Sequence, residues 1–438
     1  MNTSSATLDK ITSLCKRRGF VYPTADLYGG LNGLYDFGHL GVLMKNNIKQ
    51  LWQQSLQATG HKILLFDGAQ LGPEIIWQAS GHVKNFHDPM VDCLSCKHRY
   101  RADELDLKKP CPHCGNNTWT AVREFQLMFQ TQVGALASAH NIAYLRPETA
   151  QTIFANFKNI YSSNRVKIPF GVAQVGKAFR NEITPKQFLF RMREFEQMEL
   201  EFFCEPNEAA SFFDFWCDAR QQFYQSIGIQ TDRTRFYNHQ KKDLAHYAIR
   251  GTDVEYEFPF GWKEVEGIAN RGAYDLSQHM SFANKDLHVF DEKTQTNFIP
   301  HVVECSVGVD RLFLTLLFDA YHEDIIENEP RVVLKLNPRV APITAAILPL
   351  VKKLTEQTLR LYKDLARTYG AHIEFDDTGS IGKRYRRYDE IGTPVCFTYD
   401  FESEASLSVT ARNRDNLTQE RISIDSISRF LDDLIKTT

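Results

Sequence analysis

The stretch Gln174-Val-Gly-Lys-Ala-Phe-Arg-Asn-Glu182, followed by Phe190-Arg-Met-Arg-Glu-Phe-Glu-Gln-Met-Glu-Leu-Glu-Phe-Phe203, decides the fold of this chain. Its second segment alternates between two kinds of side chain, as a strand with two different faces does. One face carries Phe195, Gln197, Glu199 and Glu201, and the other carries Met198, Leu200 and Phe202. The pattern predicts two strands joined by a loop, with the apolar face of the second strand buried.

The acidic residues of this stretch allow two interpretations. Taken alone, Glu196, Glu199 and Glu201 fit a solvated strand face, because carboxylates usually lie at the surface. Carboxylates flanked by buried aromatic residues are costly, however, unless they meet cations. Three arginines stand nearby and favour a charged binding site: Arg180, Arg191 and Arg193.

Composition excludes several classes of protein. The chain has 438 residues, of which 43% are hydrophobic and 24% charged, and its formal net charge is −3. This length predicts two or three domains. Because the net charge is weak, nucleic acid would have to be bound through local basic patches. Since no run of about 18 apolar residues occurs, we expect no membrane-spanning helix and predict a cytoplasmic protein.

The composition and periodicity of the sequence change after Glu329 and Pro330. Before that point aromatic residues are frequent, and beyond it strand-like runs such as Val395–Tyr399 alternate with helical ones. This alternation is typical of an independent α/β domain. We therefore predict a first domain over residues 1–330, with a cysteine-bearing insert at 93–114, and a second domain over residues 331–438.

The insert contains two Cys-x-x-Cys pairs, Cys93-Leu-Ser-Cys96 and Cys111-Pro-His-Cys114, with fourteen residues between them. Each pair can present two thiolates to one side of a tetrahedral ion, and the spacing is close to the structural zinc pattern. A disulfide or four ordinary thiols are the alternatives. We predict one structural Zn²⁺, without an open position for catalysis, held by Cys93, Cys96, Cys111 and Cys114.

The second domain carries a basic segment, Gly382-Lys-Arg-Tyr-Arg-Arg-Tyr-Asp-Glu-Ile-Gly392. Arginine binds phosphates and tyrosine stacks on unpaired bases, so this composition suits RNA. A solvated helix face would have the same composition.

Three short motifs occur in order along the chain. Gly72-Pro73 precedes Ile76-Trp-Gln-Ala-Ser-Gly-His82, Phe179-Arg-Asn-Glu182 ends the first quoted segment, and Gly308-Val-Asp-Arg311 follows a third strand-like run. They resemble motifs 1, 2 and 3 of class II aminoacyl-tRNA synthetases. Together with Arg146-Pro-Glu-Thr-Ala-Gln151, the pattern is similar to the dimeric glycyl-tRNA synthetases over nearly the whole chain. His39 and Cys305 depart from it, because that family usually has proline at both positions.

The resemblance implies an α+β fold. Its parts would be a class II catalytic core on an antiparallel sheet, a zinc-ribbon-like insert, and a C-terminal α/β domain of the class IIA anticodon-binding type. It also implies a homodimer that activates glycine with ATP and Mg²⁺ and transfers it to the 3′ end of tRNA-Gly. The basic segment would then bind tRNA through Lys383, Arg384, Arg386 and Arg387.

Residue roles also follow from the resemblance. The expected catalytic residues are Arg180 at the α-phosphate, Glu182 at the adenine amino group and Arg311 at the far phosphate. The expected ATP-binding set is Arg180, Asn181, Glu182, Phe190, Arg191, Arg193, Phe195, Glu264, Val265, Gly308, Asp310 and Arg311. The expected glycine-binding set is Arg101, Glu148, Phe195, Glu196, Gln197, Glu199, Glu304 and Ser306. Which carboxylate meets the glycine ammonium stays open.

Two alternatives compete with this interpretation. A non-catalytic relative, acting in nucleic-acid binding or as a polymerase accessory, would keep the fold without the reaction. Its arginines and carboxylates would then be dispensable, yet Arg180, Glu182, Glu304 and Arg311 are all present. A class II ligase for alanine or serine is the second alternative, and the acidic pocket set argues against it.

Overall fold

The computed structural model describes residues 6–103, 105–134, 141–292, 294–326 and 328–436. Its strands are β1 (Val21–Pro23), β2 (Tyr35–Phe37), β3 (Ile63–Phe66), β4 (Leu71–Pro73), β5 (His87–Asp92), β6 (Arg99–Arg101), β7 (Arg123–Gln126), β8 (Gln130–Gln132), β9 (Ile142–Leu145), β10 (Phe170–Phe179), β11 (Glu194–Cys204), β12 (Thr234–Asn238), β13 (Arg250–Phe258), β14 (Gly261–Gly272), β15 (Val289–Asp291), β16 (Thr296–Phe298), β17 (His301–Gly308), β18 (Tyr321–Ile326), β19 (Glu329–Leu334), β20 (Ala345–Pro349), β21 (Ile373–Phe375), β22 (Val395–Tyr399), β23 (Ser408–Asn413) and β24 (Gln419–Ser423).

The helices lie between and around these strands. They are α1 (Leu8–Arg18), α2 (His39–Gln57), α3 (Glu74–Ala79), α4 (His82–Asn85), α5 (Ala150–Ala155), α6 (Phe157–Asn164), α7 (Ala209–Ser226), α8 (Tyr274–Ala283), α9 (Val309–Ala320), α10 (Thr355–Tyr369), α11 (Ile381–Ile391), α12 (Ser403–Ser406) and α13 (Ile427–Lys436).

The stretch that decides the fold forms the strand pair β10–β11. The two strands are antiparallel, with Gln174 opposite Glu199 and Val172 opposite Glu201. This confirms the prediction of two strands joined by a loop. Because side chains alternate along a strand, β11 directs Met198, Leu200 and Phe202 into the main core.

The strand pair lies inside a seven-stranded sheet with the order β12-β13-β14-β17-β11-β10-β3. Every neighbouring pair is antiparallel except β10 with β3, which is parallel. An antiparallel sheet with separate helices confirms the predicted α+β class.

One face of this sheet is covered by a core that includes residues of α2, α7 and α9. Leu200, Trp216 and Leu312 are each fully buried there. Burying a leucine of this kind contributes roughly 1.5–3 kcal/mol, so Leu200→Ala would cost about 2–5 kcal/mol once the cavity is counted. The opposite face of β11 stays available for a binding site.

The insert contains a small sheet with the order β6-β5-β7, and the cysteine pairs lie at its edge. A second small sheet, β4-β9-β8, connects the insert region with α5.

The C-terminal region forms a five-stranded sheet with the order β21-β20-β22-β23-β24. The first three strands are parallel and the last two pair in antiparallel fashion. Strands alternating with α10 and α11 match the α/β pattern expected there. The domain limit predicted at 330/331 falls inside β19, which pairs along its length with β18.

Among the described residues, no helix is both long enough and apolar enough to cross a membrane.

Candidate active site

A cavity of about 390 Å³ opens on the face of the sheet that carries Phe195, Gln197 and Glu199. Strands β11, β13, β14 and β17 contribute to its walls, as do the loop between β10 and β11 and the start of α9. The structure brings most of the predicted site residues to this lining: Glu148, Arg180, Glu182, Phe190, Arg191, Phe195, Glu196, Gln197, Glu199, Glu264, Glu304, Ser306, Gly308, Asp310 and Arg311.

Arg180 stands at the end of β10, where the strand leaves the sheet. Its Nε donates to the carbonyl oxygen of Pro147 at 3.0 Å, and its guanidinium lies 5.3 Å from the ring centroid of Phe195. These contacts hold the side chain while leaving its terminal nitrogens able to bind an anion in the cavity.

Arg311 reaches the cavity from the first turn of α9. Its guanidinium stacks 4.6 Å from the ring centroid of Phe190, and its Nη1 lies 3.3 Å from Oε1 of Glu264. A planar, permanently charged group beside an aromatic ring suits the recognition of a nucleotide. Between the two arginines, Glu182 pairs with Arg191 at 3.7 Å.

The deep end of the cavity is acidic. Glu199 accepts hydrogen bonds from the backbone N–H of Thr149 at 2.9 Å, from the Thr149 hydroxyl, from Gln197 Nε2 at 3.1 Å and from Ser306 Oγ at 2.8 Å. Burial raises the pKa of Glu199, the charge of Glu148 raises it further, and the donors from Thr149 and Ser306 offset part of this rise.

Glu148 is the second carboxylate at this end. Its Oε2 lies 3.2 Å from Nε2 of His82, and its Oε1 accepts from Gln151 at 3.0 Å. Burial works against its charge, but His82 and the nearby Arg271 outweigh that effect and hold the pKa of Glu148 well below its usual range. Glu148 is therefore ionised.

Arg271 organises the third carboxylate, Glu304. The guanidinium binds both oxygens of Asp275 at 2.7 and 2.8 Å, donates to Glu304 Oε1 at 2.9 Å and stacks 3.7 Å from the Tyr247 ring. Burial raises the pKa of Glu304 to about 8, although Arg271 acts in the opposite direction.

Several predicted residues have other contacts. The Glu196 carboxylate binds Lys45 at 2.6 Å and Lys49 at 3.3 Å, and its expected contact with glycine stays a prediction. Asp310 likewise binds Lys45, at 2.6 Å, and accepts from the Glu196 N–H at 2.8 Å. Lys45 thus ties the start of α9 to β11.

Four other predicted residues do not line the cavity within the part of the chain that the structure describes. Arg101 pairs with Asp88 and Asp103 in the insert, and the Val265 side chain is buried in the core. Asn181 donates its N–H to the Leu127 carbonyl, and Arg193 donates to the Glu182 carbonyl. Their contacts with substrate stay predictions.

The sequence interpretation did not identify His82, Thr149, Tyr247, Arg271 or Asp275 as site residues. Arg271 and Asp275 are four residues apart, a spacing that brings side chains together on a helix, but β14 ends at Gly272 between them. The sequence signal that could have identified them is the charged pair itself, since it stands in an apolar segment. Glu304, the other partner of Arg271, lies far away in sequence.

The four insert cysteines lie together at one place. Their Sγ atoms are all within 4.8 Å of one another, and the Cys93–Cys114 and Cys96–Cys111 distances are 3.6 and 3.7 Å. A tetrahedron with Zn–S bonds of about 2.3 Å has edges of about 3.8 Å, so the donor set fits zinc.

The basic segment forms helix α11, capped by the Ser380 hydroxyl and ended by Gly392 at φ 81°. Lys383 is exposed, whereas Arg384 is buried and donates to the carbonyls of Pro349 and Gly379. Arg384 thus acts within the fold, and its expected role in tRNA binding stays a prediction. Arg386 donates to the Pro330 carbonyl at 2.9 Å, and Arg387 pairs with Asp376 at 3.3 Å, but both remain partly exposed.

Comparison with known proteins agrees with this geometry. Residues 137–321 match the tRNA synthetase class II core domain (G, H, P, S and T), and residues 344–434 match an anticodon binding domain. The chain is 49% identical over 432 residues to the glycine–tRNA ligase of Borreliella burgdorferi, covering 97% of this chain and 96% of that protein. It is 47% identical over 458 residues to the glycine–tRNA ligase of Caldanaerobacter subterraneus, covering 98% and 99%. With the Geobacillus thermodenitrificans ligase the identity is 46%, covering 98% and 97%.

Proposed function

Because this chain belongs to the glycine–tRNA ligases, we propose that its cavity joins glycine to the α-phosphate of ATP and that the glycyl group then passes to the 3′ end of tRNA-Gly. One observation carries the proposal. Arg180 and Arg311 enter one cavity from different elements, and the carboxylates Glu148, Glu199 and Glu304 lie at its deep end.

The activation step forms a bond between a glycine carboxylate oxygen and the α-phosphorus, while the bond to pyrophosphate breaks. Negative charge builds up around phosphorus during this in-line displacement. Arg180 stabilises that charge and orients the glycine carboxylate. Mg²⁺ supplies further charge neutralisation on the pyrophosphate when ATP is bound. Catalysis is thus positioning and electrostatics, without a covalent protein intermediate.

The nucleotide occupies the outer part of the cavity in this proposal. Phe195 stacks on one face of adenine and Arg311 covers the other, while Glu182 accepts from the adenine amino group. The contacts of Arg311 with Phe190 and Glu264 support this role, because they hold the guanidinium flat at the cavity wall.

Glycine occupies the deep end. Its ammonium group meets the carboxylates, and Ser306 lies beside Glu199 at 2.8 Å. Since glycine has no side chain to recognise, selection rests on the absence of space beyond its α-carbon. Larger amino acids would need this packed wall to move, which is costly.

Pyrophosphate exchange with each amino acid tests the proposal. We expect exchange with glycine, weak or no exchange with alanine and serine, and none without an amino acid. Exchange with alanine or serine above that with glycine would contradict the substrate. Absence of exchange in a folded preparation would favour the non-catalytic alternative.

Three further features belong to the proposal. The cysteine cluster holds a structural Zn²⁺ at the edge of the insert, supported by its Sγ distances. The division into a catalytic domain and an anticodon-binding domain is supported by the two matched regions. A cytoplasmic homodimer is inferred from the family resemblance, and light scattering of the purified protein tests its size.

A further inference from the structure

The acidic end of the cavity holds more carboxyl groups than cations to pair with them. The buried carboxyl groups there are Glu148, Glu199 and Glu304, which line the cavity, and Glu201 and Asp275, which interact with them without lining it. Arg271 gives two of its hydrogen bonds to Asp275 and one to Glu304, and His82 faces Glu148. Among the described residues, no cation makes a hydrogen bond to Glu199 or Glu201.

Glu201 is the extreme member of this group. It is 0% exposed, and neither of its carboxyl oxygens has a hydrogen-bond partner among the described residues. In the β11–β17 register it stands directly opposite Glu304. Burial, and next the charge of Glu304, raise the pKa of Glu201 well above its usual value. A buried carboxylate without a donor is unstable, so Glu201 keeps its proton.

Glu304 faces charged or titratable groups on every element packed around it. They are Glu199 and Glu201 on β11, Arg271 on β14, Asp275 on α8, Glu148 before α5, and Tyr247 before β13. Its one donor in the structure is Arg271. Around Glu304, carboxyl groups therefore outnumber cations, which favours a proton on Glu304.

We propose that glycine binds in exchange for a proton: the empty pocket holds a proton on Glu304, and the arriving glycine ammonium displaces it into the bulk solvent. Glycine enters as its zwitterion, one proton leaves to buffer, and Glu304 becomes the carboxylate that pairs with the ammonium. Glu201 keeps its own proton throughout. At the acidic end the ammonium charge replaces the proton charge, and the glycine carboxylate that enters with it is paired by Arg180. No unpaired carboxylate is therefore left on Glu304 before glycine arrives. This inference rests on the proposed function, since it takes the pocket to be that of glycine.

The first test is the pH dependence of the glycine KM in pyrophosphate exchange, from about pH 6 to about pH 9, around the Glu304 pKa of about 8. A proton that must leave Glu304 before the glycine ammonium binds raises the apparent glycine KM at low pH. We expect the glycine KM to fall about tenfold per pH unit on the acidic side and to level off near pH 8, while the ATP KM stays flat over that range. Active enzyme with a pH-independent glycine KM overturns the inference alone. Absence of glycine-dependent exchange overturns the proposed function and the inference with it.

The second test counts the proton directly. Calorimetry of glycine binding near pH 7, in two buffers of different ionisation enthalpy, should show close to one proton released per glycine. A release near zero in the wild type overturns the inference. In a folded Glu304→Gln variant, where no carboxyl group remains at this position, we expect the release to disappear. Persistence of the full release in that variant would assign the proton elsewhere and also overturn the inference.

The third test uses Glu201→Gln, which exchanges a neutral acid for a neutral amide of similar shape. We expect the variant to fold and to keep the pH dependence of the glycine KM. The native state of the wild type holds a proton that the unfolded chain releases above the usual carboxyl pKa. The free energy of unfolding of the wild type should therefore fall as pH rises above the usual carboxyl pKa. That of Glu201→Gln should fall less. A folded Glu201→Gln variant whose glycine KM no longer depends on pH would place the exchanged proton on Glu201 and would overturn the inference.

Discussion

At the residue scale, Arg180 has the clearest consequence for activity. Its Nε is held by the Pro147 carbonyl, so the remaining guanidinium nitrogens face the cavity in a fixed orientation. We expect Arg180→Ala to lower the rate of glycine-dependent pyrophosphate exchange by about 10²–10³-fold, the usual loss for a group that stabilises charge in a transition state. Arg180→Lys should recover little, because lysine lacks the planar fork.

The matched control for this prediction is Arg235→Ala. Arg235 lies on the edge strand β12 and pairs with Glu255 at 2.6 Å, outside the cavity lining. We expect the pyrophosphate exchange rate of Arg235→Ala to match that of the wild type. Equal losses in both arginine variants would mean that Arg180 acts through general stability, and thermal unfolding of both proteins would show this.

At the scale of single elements, the proposed zinc site predicts that the insert depends on its four cysteines. Its strands β5, β6 and β7 are only three to six residues long, and small units of this kind usually need a metal for stability. We expect about one zinc per chain by elemental analysis, and Cys96→Ser should lose the metal and lower the melting temperature. Cys217→Ser, outside the cluster, should retain the metal. A metal-free protein with a fully protected insert in hydrogen exchange would contradict the zinc site.

Helix α11 carries one buried arginine and other basic side chains that reach the surface. Arg384 is locked by backbone carbonyls, whereas Lys383 and Arg387 keep exposed charge on the same helix. We expect the double variant Lys383→Ala, Arg387→Ala to raise the KM for tRNA by roughly 100-fold, since two charge-assisted bonds are lost and each is worth about 1.5 kcal/mol. Pyrophosphate exchange should stay at the wild-type level. The exposed Lys352→Ala in the same domain is the control, and an equal effect there would remove α11 from the tRNA surface.

At the scale of the whole molecule, an ionic network lies at the limit between the two predicted domains. Arg331, the first residue of the second domain, donates to Asp324 of β18 in the first domain at 2.8 Å. Asp389 of α11 accepts from Arg331 of β19 at 3.2 Å and from Arg412 of β23 at 2.9 and 3.0 Å. The main core also continues across the limit, since it includes Leu334, Leu336 and Ile391. A deletion that starts at Val332 would therefore cut β19 and expose this core. We expect such a truncation to lower glycine activation in addition to removing the C-terminal region.

Removal of Asp389 tests this coupling. Asp389→Ala removes the carboxylate partner of the buried Arg412 and one of the two carboxylate partners of Arg331, which typically costs about 3–5 kcal/mol. We expect one cooperative unfolding transition at a clearly lower temperature. Calorimetry and the loss of pyrophosphate exchange on heating would both measure it. Glu356→Gln, which removes an exposed pair with Arg360, should change stability by less than about 0.5 kcal/mol. Unchanged exchange in an Asp389→Ala protein whose C-terminal region has unfolded would show that the domains are independent.

The sequence by itself determined the strand pair β10–β11, the α+β class, the α/β character of the C-terminal region and the grouping of the cysteines. These features depend on periodicity and spacing, which are local properties of the chain. It also determined most of the cavity lining, since Arg180, Phe195, Glu199 and Arg311 stand in short recognisable motifs.

Only the tertiary structure decided how the charges of the site are paired. Arg271 meets Glu304, and His82 meets Glu148, across long separations in sequence. It also separated Glu196, which binds Lys45, from Glu199, which faces the cavity three residues later. Pairing and burial depend on which elements pack together, and these in turn determine the pKa of each carboxyl group. That is why the sequence identified an acidic pocket, and the fold alone distinguished Glu148, whose pKa is lowered, from Glu201, whose pKa is raised.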